Sequence, residues 1–71
     1  MINDTEKRKR IIKFLNLVRI DDARTFNVNN SDAIYKVSYI SQHYVIEELG
    51  FKKMRINKEM LISRMMKYAN I

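Results

Sequence analysis

The residues best placed to do chemistry in this chain are cations. Lys7, Arg8, Lys9 and Arg10 form an unbroken basic run near the start. Lys52, Lys53, Arg55, Lys58, Arg64 and Lys67 make the last third strongly positive, against the single acid Glu59. The stretch between them is mildly acidic through Asp21, Asp22, Asp32, Glu47 and Glu48. Fourteen lysines and arginines against eight aspartates and glutamates leave a net charge of +6. A bipolar layout of this kind steers an oriented, negatively charged partner, and nucleic acid is the commonest partner of small basic domains.

Groups that could catalyse are few. His43 is the only histidine, and no second ligand stands at metal-binding spacing from it, so no metal is expected. Asp21 and Asp22 are adjacent and point apart, which suits caps and turns better than a shared proton. Ser31, Ser38, Ser41 and Ser63 have neither a histidine at a suggestive spacing nor a glycine elbow. No glycine-rich phosphate loop is present. We therefore expect no catalytic residues, no cofactor and no enzyme. Tyr35 and Tyr39, four residues apart, could stack on bases or on a protein, or pack against the segment from Ile20 to Asn30. Met60, Met65 and Met66 suggest an adaptable apolar surface, read here as a dimer seam.

The elements that must carry these groups read as helices. With 71 residues the chain has room for one domain, 1–71, and a thin stability margin. Hydrophobic residues make up 46%, enough for a core. There is no cysteine to staple it and no proline, and the one glycine is Gly50. A first helix is expected over about 4–19, capped by Asn3 with Glu6 three positions on. Ile11, Phe14, Leu15 and Val18 form its apolar stripe. Asp21, Asp22, Asn27, Asn29 and Asn30 favour turns, with Phe26 and Val28 open to a short extended piece. A second helix is expected over 31–49, with Ile34, Val37, Ser41, Tyr44, Val45 and Leu49 on one face and Gly50 as its left-handed end. A third is expected over about 55–69, with Asn57 as its cap and Glu59 in its first turn. Alternation through Phe51, Met54 and Ile56 leaves a short strand before it as the competing reading. The fold class expected is all-α: a compact three-helix domain.

Two families are similar in places. Ile40 to Ile56 resembles a DNA-binding helix-turn-helix: Val45 and Leu49 occupy inward positions, Gly50 the turn and Ile56 the anchor of the second helix. It departs from that pattern at Ile46, where the family places a small residue, and at Glu59, where it places an apolar one. The resemblance implies a helix beginning near Lys53 in the major groove. Lys52, Lys53, Arg55, Asn57 and Lys58 would then line its exposed start, arginine and asparagine at base edges and lysines at phosphates. Lys7, Arg8, Lys9 and Arg10 would reach phosphates as a flexible arm. A second stretch resembles archaeal-type histones, through Arg10–Lys13, Asp21–Arg24 and Lys53–Ile56 followed by Leu61 and Met65. That reading requires Phe26 to Asp32 to be helical, which its asparagines resist.

The expected function is DNA binding as a small transcriptional regulator, acting as a homodimer. The alternative is a protein-interaction module, an inhibitor or adaptor of a larger assembly, or a histone-fold packaging protein. Lys7 to Val18 begins like a signal peptide, but Lys13 and Asn16 interrupt it and no small-residue cleavage site follows. No stretch approaches a membrane span, and the basic first helix lacks the aromatic belt of a lipid binder. The expected location is cytoplasmic or nucleoid-associated.

Overall fold

The computed structural model describes residues 3–71. Its order is helix, four strands, helix: α1 (Asp4–Asp21), β1 (Ala23–Asn27), β2 (Ile34–Ile40), β3 (His43–Glu48), β4 (Lys53–Ile56) and α2 (Lys58–Tyr68). The strands pair antiparallel in the sheet order β1-β2-β3-β4. The architecture is therefore α+β, and the all-α three-helix expectation is overturned.

Both helices form where local chemistry asks for them. Asn3 caps α1, its side-chain oxygen accepting from the Glu6 amide at 2.8 Å. Ile11, Leu15 and Val18, at helical spacing, are wholly buried. The helix ends at Asp22, whose left-handed backbone (φ 73°) turns the chain into β1. Asn57 caps α2 in the same way, accepting from the Met60 amide at 2.8 Å. Leu61, Ile62 and Met65 are its buried stripe. The C-terminal helix is shorter than expected because Arg55 and Ile56 belong to β4, so the alternation through Phe51, Met54 and Ile56 does mark a strand.

The expected helix over 31–49 is instead the β2–β3 hairpin. Its residues are rich in β-branched and aromatic types, which suit a pleated surface. Ser41 and Gln42 close it, both left-handed (φ 50° and 65°), the pattern of a two-residue type I′ turn. The pairing runs from Ile40↔His43 through Val37↔Ile46 to Tyr35↔Glu48. Gly50 ends no helix. It sits third in the turn Glu48–Phe51, where the Phe51 amide donates to the Glu48 carbonyl at 2.8 Å. Its φ of 88° is the left-handed value that glycine adopts without strain. The helix-turn-helix resemblance falls with that helix. The histone resemblance falls too, because its long central helix would occupy the strands.

Side-chain alternation gives the sheet two unlike faces. Phe26, Val37, Tyr44, Ile46 and Ile56 point to one face and join α1 and α2 in a single core. Lys36, Ser38, Val45, Glu47, Lys53 and Arg55 stand on the other, where no residue is fully buried. Met65 is core, Met66 is half-buried and Met60 is exposed, so the three do not form one seam. The C-terminal tail closes part of the β1 edge. Asn70 donates to Asn27 at 2.8 Å and Asn29 to Tyr68 at 2.7 Å, either side of a Val28–Ala69 bridge.

A serine and a glutamine held left-handed carry a strain of roughly 1–2 kcal/mol each. Replacing them with the preferred pair, Ser41→Asn with Gln42→Gly, should raise stability by about 1 kcal/mol. Thermal unfolding should then shift upward by roughly 4–8 °C. An unchanged or lower midpoint would contradict the turn assignment.

Candidate nucleic-acid interface

The residues proposed to contact nucleic acid fall in four places. Lys7, Arg8, Lys9 and Arg10 lie within α1, so they are held on a helix and are not a flexible arm. Lys7 is half-buried and the other three are exposed. Lys52 is exposed in the turn segment before β4. Lys53 and Arg55 stand on β4, facing the open side of the sheet. Asn57 spends its side-chain oxygen on the cap, and Lys58 begins α2. No single recognition helix presents them together, because the stretch after Gly50 is a turn and an edge strand.

The fold assembles a different group. α1 and α2 pack side by side over the sheet, and Arg8 of one lies 3.9 Å from Glu59 of the other. The inward residues of α1 are Ile11, Leu15 and Val18, so helical spacing turns Lys9 and Lys13 outward and Arg8 and Arg10 to the flanks. On α2, Lys67 points outward and Arg64 lies on the flank away from α1. The exposed surface of the helical layer thus carries Arg8, Lys9, Arg10, Lys13, Arg64 and Lys67, with the acids Asp4, Glu6, Asp21 and Glu59 also exposed on the two helices. Sequence reasoning had not selected Lys13, Arg64 or Lys67 as contact residues. Their legible signal was the four- and three-residue spacing of Lys9–Lys13 and Arg64–Lys67, opposite each buried stripe.

The open sheet face is weaker electrostatically. Its cations are Lys36, Lys53 and Arg55. Glu47 lies in register between Lys36 and Lys53, offsetting charge on both sides.

The aromatic side chains are mostly spent inside. Phe14 meets Phe26 edge-on at 6.0 Å, and Phe26 stacks on Tyr35 at 5.6 Å. Tyr35 therefore packs against the segment after α1, the plainer of its two expected roles. Tyr39 meets Tyr44 at 5.0 Å, and the Arg19 guanidinium lies 4.9 Å above the Tyr39 ring.

Of the groups weighed for catalysis, Asp21 accepts from Arg24 at 2.8 Å and Asp22 is the helix end. His43 is exposed beside the hairpin turn. Among the described residues no three metal-capable side chains cluster. A groove of about 560 Å³ runs between α2 and the β1–β2 connection, floored by Phe26 and Tyr35 and edged by Arg64, Lys67 and Glu48. Among the described residues, no helix is long and apolar enough to cross a membrane.

Burial raises the Tyr44 pKa above its ordinary value; the Arg19 charge opposes this and Tyr39 adds to it. The folded state therefore holds the Tyr44 proton more tightly than the unfolded chain. The associated stability is present below the ordinary tyrosine value of about 10 and is lost as pH rises beyond it. Denaturant titrations from pH 9 upward should show this decline, and Tyr44→Phe should flatten it. An equally steep decline in the variant would remove Tyr44 as its source.

No protein-family model, curated protein or solved structure matches this chain.

Proposed function

We propose that this protein binds duplex DNA through its phosphate backbone, with the outer surface of the α1–α2 layer as the contact face. The observation that carries this is the six cations gathered there, with Arg19 and Lys58 exposed at one end, against the four exposed acids Asp4, Glu6, Asp21 and Glu59. The open sheet face, with three cations and an interposed Glu47, offers far less. Backbone binding needs only such a field, because counterion release drives it whatever the base sequence. Single-strand binding asks for aromatic platforms beside the cations. Here Phe14, Phe26, Tyr35, Tyr39 and Tyr44 pack in or against the core, and among the described residues Tyr68 alone of the aromatics stands exposed beside these cations, short of a run of platforms. That favours a duplex over an unpaired strand.

This reading retains the DNA partner expected from the charge layout and replaces the means. A helix entering the major groove gives way to two helices lying along a charged surface. Positioning by phosphates then dominates, and base discrimination is weak.

A protein partner is the second reading, favoured by one corner of the molecule. Leu49 and Phe51 at the β3–β4 turn are 47% and 72% exposed. Ile34, whose carbonyl accepts from the Leu49 amide at 3.1 Å, is half-exposed beside them. Association through this corner would be apolar and would survive high salt.

Fluorescence anisotropy with a labelled duplex of mixed sequence separates the two. With six phosphates engaged, log affinity should fall with log salt at a slope of about −5. The double reversal Lys9→Glu with Lys13→Glu should cut the slope by about two and lower affinity at least about tenfold. The reversal Lys53→Glu with Arg55→Glu on the sheet should change it far less. No binding at low salt, or equal losses from both reversals, would refute the proposed face.

A further inference from the structure

A small pocket of about 300 Å³ opens where three elements meet: the last turns of α1, the tip of the β2–β3 hairpin and the start of α2. Arg19, Gln42, His43, Tyr44, Asn57 and Lys58 line it. Two of these are permanent cations from different helices. The first amides of a helix have no intrahelical partner and carry the positive end of its dipole. The Asn57 side chain takes the Met60 amide and leaves those of Lys58 and Glu59. The only acid on this first turn, Glu59, is turned toward Arg8 of α1.

Tyr44 supplies an independent indication. It is 7% exposed, yet its hydroxyl has no hydrogen-bond partner among the described residues. No sealed side-chain polar atom in the described molecule is left unsatisfied. The hydroxyl of Tyr44 is therefore not sealed from solvent, and the side chain that carries it lines the pocket. The hydroxyl of a largely buried tyrosine, a guanidinium, an ammonium and the free amides of a helix start line one small volume. Their shared chemistry is donation to an oxyanion.

We propose that this pocket is a phosphate-binding site, held by Arg19, Tyr44, Lys58 and the first amides of α2. The site is separate from the six cations of the helical layer, and it stands whether or not those cations bind DNA. Its occupant is a phosphate group, either free in solution or belonging to a nucleic-acid backbone. Arg19 already lies across Tyr39, so its guanidinium is preorganised and little side-chain freedom is lost on binding.

The test is a titration of the full chain with inorganic phosphate, at ionic strength matched by chloride, followed by amide chemical shifts. The Lys58 and Glu59 amides should move saturably with phosphate and stay still with chloride. Tyr44→Phe keeps the ring in the core and removes only the hydroxyl; Lys58→Gln removes an exposed charge. Each should weaken the apparent affinity about tenfold, the worth of one charge-assisted hydrogen bond. Absence of a saturable shift overturns the proposal, and so do shifts that both variants leave unchanged. Adding duplex DNA then identifies the source. Movement of the same amides assigns the site to backbone phosphate, and their indifference assigns it to a free phosphate. The DNA reading is judged separately, by the anisotropy of the Lys9 and Lys13 reversal.

Discussion

A four-stranded sheet with one apolar face cannot stay folded alone, and covering that face organises this protein. Phe26, Val37, Tyr44, Ile46 and Ile56 present the apolar side. α1 and α2 supply the lid, through Ile11, Leu15 and Val18 from one and Leu61, Ile62 and Met65 from the other. Burying each such side chain contributes about 1.5–3 kcal/mol, and a short chain has few of them to spend. The core therefore draws on every element. Both helices must lie on the same side, which leaves the opposite sheet face in water.

That one-sidedness dictates where charge can go. A helix covering a sheet buries one stripe and turns the rest outward, so basic residues away from the stripe share a surface. Cations separated by more than fifty residues, such as Lys9 and Lys67, come to stand on one layer. Lys53 and Arg55, close to Lys67 in the chain, go to the opposite face because side chains alternate along β4 and Ile56 takes the core side. Charged side chains on a short edge strand also discourage pairing with a neighbouring sheet. For those two residues, protection of the edge is reason enough to be there.

The turns solve a harder local problem with one glycine. Among the described residues five positions take a left-handed backbone: Asp22, Asn30, Ser41, Gln42 and Gly50. Aspartate and asparagine tolerate this conformation because short polar side chains bond locally. Serine and glutamine at the hairpin tip tolerate it only because ladders on both sides hold the strands in register. The tail beyond α2, bonded to Asn27 and Asn29, ties the last residues to the first strand.

The sequence by itself determined whatever depends on neighbours within three or four residues. The two asparagine caps, the buried stripes of α1 and α2, the left-handed need at Gly50 and the alternation before α2 were all legible, because each is local. The cations were legible as a partner-seeking charge, but not as a surface. Only the tertiary structure decided the segment from Ile34 to Glu48. Apolar residues there are dense enough to satisfy a period of 3.6 and a period of two alike. Val37 lies inward on either reading. Ser41 on the supposed apolar face, and Ile46 where a helix pair wants a small residue, were the signs against a helix. A strand's hydrogen bonds come from other strands, so no local pattern can supply them. The Ser41–Gln42 turn lacks the asparagine–glycine pair that would have announced a hairpin. Which cations share a face, and that Arg19, Tyr44 and Lys58 line one pocket, follow from that pairing and could not have preceded it.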